Sequence, residues 1–110
     1  TAPARWAGAH FEQCEFLGLD LTDVALTDTN FIDCQFERCR LTRSVLKNAQ
    51  LFDVQFATCQ MQYVDFSRCN PFGFHVSFQD CQLDNAQFIG RKLKKTFFDT
   101  CSLRETYFVQ

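Results

Sequence analysis

From Phe11 onward a large apolar residue returns every fifth position: Phe11, Phe16, Leu21, Leu26, Phe31, Phe36, Leu41, Leu46, Leu51, Phe56, Met61 and Phe66. Two residues before each of these central positions stands a small or apolar residue, among them Cys14, Val24, Cys34, Cys39, Ala49 and Cys59. The other three places of each pentad are mainly charged or amide residues. A helix turns about 140° in five residues and spreads five-spaced side chains over all its faces. A strand sends them alternately to opposite faces. Both inward places are buried together if the chain turns a corner once per pentad, so that four pentads close a square coil and successive coils stack at about 4.8 Å.

A square coil requires residues twenty apart to stack, and the sequence meets that test. Phe16, Phe36 and Phe56 match, and so do Leu21, Leu41 and Met61. The beat breaks over Cys69–His75 and resumes at Phe78, two residues late, then runs through Leu83, Phe88, Leu93, Phe98, Leu103 and Phe108. With that offset, Phe78 and Phe98 continue the Phe16 column, and Cys39, Cys59, Cys81 and Cys101 form a column of small inward residues. The expected fold is therefore an all-β quadrilateral β-helix of about five coils, about 24 Å long at the strand spacing. One irregular insertion is expected near residues 67–77, with Pro71 and Gly73 marking a bulge or loop that interrupts a single side. Residues 1–10 are read as a lead-in or cap, with Trp6 in phase with Phe11 and covering the bottom of the core, and residues 11–110 as the β-helix.

The repeat resembles the pentapeptide repeat family: a small residue, a polar residue, Leu or Phe, then two variable residues, as in Cys34-Gln35-Phe36-Glu37-Arg38 and Ala86-Gln87-Phe88-Ile89-Gly90. The likeness runs from about Phe11 to Gln110. It implies a right-handed coil. The Cys- and Phe-rich character is similar to the branch containing quinolone-resistance proteins that protect DNA gyrase, together with uncharacterised bacterial relatives. Members of the family often end in a dimer-forming C-terminal helix, so a dimer is expected only if a capping segment outside this chain exists.

Chemistry changes this picture little. The 110 residues carry 11 Lys+Arg and 13 Asp+Glu, a formal net charge of -2, which gives no basis for direct nucleic-acid binding. No apolar run approaches the length of a membrane span. Seven cysteines in a short chain would suggest disulfides or metal. Here six of them, Cys14, Cys34, Cys39, Cys59, Cys81 and Cys101, fill the small inward place, and Cys69 does so too if Pro71 is counted as central. Their stacked side chains point in parallel, and no Cys-x-x-Cys or neighbouring His completes a metal set. Neither disulfides nor metal nor another cofactor is expected. The odd count points to a reducing compartment, so the cytoplasm is the expected location. The chain begins at Thr1, as expected of a fragment or processed form. His10 and His75 have no evident catalytic partner in the sequence, and no phosphate-binding glycine loop is present, so an enzyme is not expected.

Surface features carry the functional expectations. Ile32, Phe52 and Phe72 are expected to form an exposed apolar column, and with Phe74 and His75 they are the candidate partner-binding residues. Asp20, Asp23, Asp28 and Asp33 give the first turns an acidic surface, which by the resemblance corresponds to the DNA mimicry proposed for gyrase-protecting relatives. Basic clusters follow at Arg38, Arg40, Arg43 and Lys47 and at Arg91–Lys95, with Arg91 in an inward place where local distortion is expected. The leading expectation is a non-enzymatic scaffold that binds another protein through an outer face. The alternative is a gyrase- or topoisomerase-binding DNA mimic.

Overall fold

The computed structural model describes residues 6–108. Each pentad forms one side of a square coil, with its central residue pointing inward, and the coils stack in parallel. Two sides are built from short strands: β1 (His10–Glu12), β2 (Glu15–Leu17), β3 (Asn30–Ile32), β4 (Gln35–Glu37), β5 (Gln50–Ala57), β6 (His75–Gln79) and β7 (Phe98–Asp99). On one strand side Phe11 pairs with Phe31 and Phe31 with Leu51. On the next, Phe16, Phe36, Phe56, Phe78 and Phe98 lie in one register. The other two sides are joined by single bridges, such as Asp20–Arg40–Gln60–Gln82–Ser102. Four full turns separate Phe16 from Phe98, and partial turns lie beyond each, so fewer coils are closed than the five expected from the sequence.

The sides differ because two of them are β-turns. Val24 N–H donates to Leu21 C=O at 3.1 Å and Ala49 N–H to Leu46 C=O at 3.0 Å, each closing a four-residue turn. The third residue of such turns has positive φ, as at Asp23 (60°) and Asn48 (55°). Positive φ recurs at the corners of the strand sides as well, at Asp33 (55°) and Asp53 (56°). Of the fifteen non-glycine residues with positive φ among those described, seven are Asp or Asn, the types whose short polar side chains best tolerate that region.

Aromatic columns fill the interior. Phe16, Phe36, Phe56, Phe78 and Phe98 stack with centroids 4.7–5.3 Å apart and rings within 21° of parallel. Phe66, Phe88 and Phe108 form a second stack whose rings meet the first edge-on, Phe78 lying 76° from Phe66 and 80° from Phe88. Both arrangements are favoured by the ring quadrupole. At the lower end Trp6 is half-buried against Phe11 and Phe16, at 4.7 and 5.1 Å. Of the lead-in expected over 1–10, residues 1–5 lie outside the described part.

All seven cysteines carry free thiols. Cys39, Cys59 and Cys81 are buried in one column, and their S–H groups donate to the carbonyls of Phe16, Phe36 and Phe56 at 3.3–3.4 Å, one turn below. Cysteine suits this place because it is small, apolar and a weak donor. Cys101, at the top of the column, is half-buried.

The insertion has a definite arithmetic. Asn70 N–H donates to Ala49 C=O just as Gln50 N–H donates to Thr29 C=O, so Cys69 still stacks on Ala49, and it is buried. Ala49 is two residues before Leu51, but Cys69 is five before Phe74, the residue that packs against the core on that side. Three residues have been added. Leu51 is then five before Phe56, whereas Phe74 is four before Phe78, and the ladder skips Asp53 between the pairs Phe52–His75 and Val54–Val76. One corner residue has been removed. The central place on this side, which Pro71 would take if Cys69 were followed by a regular pentad, therefore belongs to Phe74, and Pro71 is exposed.

Candidate functional site: the insertion loop and its groove

The loop is a β-turn pushed out of the coil. Phe74 N–H donates to Pro71 C=O at 3.3 Å, and Gly73 supplies the positive φ of 66°. The Asn70 side-chain oxygen accepts from Phe72 N–H at 2.9 Å and fixes the exit from the coil. Phe72 at the tip is 74% exposed, while Phe74 turns inward. Gly73 sits against the Phe52 ring, so that a Cβ there would stand 2.6 Å from Phe52 Cδ2.

These positions revise the expected apolar column. Ile32 is half-buried and pairs with Phe52, which is partly exposed, but the next residue in register is His75, not Phe72. The loop has carried Phe72 out of the ladder. His75 opens β6, and its Nδ1 lies 2.8 Å from Asp53 Oδ1 while its Nε2 lies 3.3 Å from Lys95 C=O. No partner for His75 is evident along the chain because Asp53, 22 residues away, reaches it only where the ladder skips a residue. His10 likewise meets Glu12, at 2.8 Å.

Arg91 explains the departure in the turn above. Its Nη1 donates to Cys69 C=O at 2.9 Å, taking the place that a backbone N–H takes on Ala9, Thr29 and Ala49 in the turns below. Its guanidinium carbon sits 5.9 Å from the centre of the Phe74 ring. Arg91 thus mends the ladder where the insertion opened it. Between the loop and this turn runs an open groove of about 390 Å³, walled by Pro71–Phe74 on one side and Gly90–Lys92 on the other. The facing wall was not foreseen from the sequence.

Beneath the groove, burial pushes the Cys69 thiol up to about 12 from an ordinary 9.0. The unfolded thiol ionises first as pH rises, so stability is full below pH 9.0 and is lost toward pH 12. The slope from this one proton is about 1.4 kcal/mol per pH unit. Urea midpoints at pH 8 and pH 10.5 are expected to fall further for the natural chain than for Cys69→Ala.

The acidic residues have structural partners. Asp23 forms a bidentate pair with Arg43, at 2.8 and 3.0 Å, and hydrogen bonding from Arg43 lowers its pKa. Hydrogen bonding from Thr22 lowers that of Asp20, whose bridge partner is Arg40. Asp28 accepts from the Asn48 side chain at 2.8 Å. Asp33 forms no ion pair among the described residues. Asp23, Asp28 and Asp33 all occupy positive-φ corners, so their presence has a backbone reason independent of any surface charge.

No helix among the described residues is long and apolar enough to cross a membrane. No curated protein sequence matches the chain. Among solved structures, full-length QnrB1, a plasmid-mediated fluoroquinolone resistance protein, superposes with a TM-score of 0.54 at 20% identity, over 99% of this chain and 53% of that one. The present chain thus spans about half the length of QnrB1. A pentapeptide repeat protein from the cyanobacterium Cyanothece 51142 aligns with a TM-score of 0.38 at 14% identity, over 93% of this chain and 89% of that one. The likeness to QnrB1 shows a shared fold. The family described as Pentapeptide repeat region matches residues 8–88 and again 33–108. With stacked five-residue sides interrupted by the one insertion, the chain belongs to the pentapeptide repeat family.

Proposed function

We propose that this chain is a non-enzymatic scaffold that binds another protein through the outer face carrying the insertion loop. The observation that carries this reading is Phe72: a large apolar side chain, 74% exposed, at the tip of a turn anchored at both ends on a rigid coil. Irregular loops on regular scaffolds are where recognition residues concentrate. Phe52, beneath Gly73, and Ile32, below it, extend the same face. A photoreactive phenylalanine analogue at position 72 is expected to capture a discrete partner from host extract, and the same analogue at position 38 is not. Equal labelling at both positions, or none at either, counts against this face.

A second reading, a DNA mimic acting on gyrase or topoisomerase, is favoured by the carboxylates of the first turns together with the fold shared with QnrB1. Because Asp23 is engaged by Arg43, it rests mainly on Asp28 and Asp33. Protection of gyrase supercoiling from a quinolone, lost on Asp28→Lys with Asp33→Lys, is its expected signature. Protection that survives both changes removes it.

A further inference from the structure

We infer that the groove between the insertion loop and the turn above it takes an acidic peptide segment bearing a large apolar side chain. This deepens the outer-face reading and rests on it. Three observations converge. The loop wall is apolar, with Phe72 exposed and Phe74 forming part of the same wall. The facing wall is cationic: Arg91 is held in place by Cys69 C=O and by the Phe74 ring, and Lys92 stands exposed beside it. Lys94 and Lys95 follow in the same turn, and none of these four cations forms an ion pair among the described residues. Elsewhere Arg43 pairs with Asp23 and Arg38 with Glu37, while Arg40, Lys47, Arg68 and Arg104 form no ion pair among the described residues, so what sets this turn apart is four cations clustered beside an apolar wall.

A carboxylate entering the groove meets a guanidinium whose position is already fixed by the protein, so little ordering is needed to form the pair. An aromatic or aliphatic side chain beside it finds Phe72. A peptide suits the site better than a nucleic acid, because the patch is short and the chain as a whole is acidic, with a net charge of -2.

The probe is a fluorescein-labelled peptide, Asp-Glu-Phe-Glu-Asp, measured by anisotropy at low salt against its amide twin, Asn-Gln-Phe-Gln-Asn, and a labelled oligothymidylate. The acidic peptide is expected to bind at least tenfold tighter than the twin. Lys92→Glu is expected to weaken it at least tenfold and Phe72→Ala several-fold, with unfolding curves unchanged. Arg38→Glu, at a corner remote from the groove, is expected to leave binding intact. The inference is overturned by equal affinity for the twin, by insensitivity to Lys92→Glu, by no binding up to millimolar peptide, or by tighter binding of the oligothymidylate. Each of these removes the assigned ligand chemistry and leaves the outer-face reading to be decided by crosslinking at position 72.

Discussion

Replacing Phe78 by Ala is expected to cost about 3–5 kcal/mol of folding free energy, the range for truncating a large aromatic in a packed core. Phe78 is 1% exposed and is held on four sides. It stacks between Phe56 and Phe98, each at 5.3 Å, and meets Phe66 and Phe88 edge-on at 5.6 and 5.8 Å. The backbone cannot close over the missing ring, because parallel ladders to β5 and β7 fix its distance from both neighbours. Phe98→Ala is expected to cost less, since Phe98 is only half-buried. Urea unfolding of both variants checks the ordering. A loss under about 1 kcal/mol at position 78 would show that the columns relax independently, contrary to close packing.

Gly73→Ala is expected to destabilise the chain by at least about 1 kcal/mol more than Gly90→Ala. An L-residue in left-handed backbone costs about 1–2 kcal/mol, and both glycines have positive φ, 66° and 74°. They differ in what a Cβ meets. At Gly90 nothing lies within 4 Å, whereas at Gly73 the new methyl would stand 2.6 Å from the Phe52 ring. Phe52→Ala removes that obstacle, so the double variant should recover the difference and leave the conformational part alone. Additive effects in this cycle would mean that the ring swings clear without cost. The same cycle tests how rigidly the loop is seated, because Gly73 against Phe52 is one of the contacts, with Asn70 and Phe74, that hold the loop on the coil.

The stacked coil is legible in the sequence because burial recurs with a fixed period, and one column of five phenylalanines can be counted by eye. The broken turn is not legible in the same way. Phe72 and Phe74 are chemically identical and two residues apart, and no period says which enters the core. The choice falls to Phe74 because Gly73 takes the positive-φ place in the turn and because Arg91, a full turn later, packs on the Phe74 ring. The groove was hidden for the same reason: its second wall belongs to the turn above. The acidic stretch was visible as composition, yet Asp23 and Arg43 are twenty residues apart and become neighbours only when the coil closes. Read as separate charge clusters, they suggest a surface field. Stacked, they form a local pair of the exposed kind, usually worth under about 1 kcal/mol.

The broken turn gains three residues, loses one at the next corner, and still delivers Phe78 onto Phe56. Position in this molecule is therefore kept by what lies underfoot, not by counting along the chain. Each new turn is addressed by the turn it lands on, and errors of length are erased within one side. Such an architecture can be edited at a corner without rewriting anything downstream. Its corners are natural ports for grafted loops, and the coil serves as a ruler whose markings survive the graft.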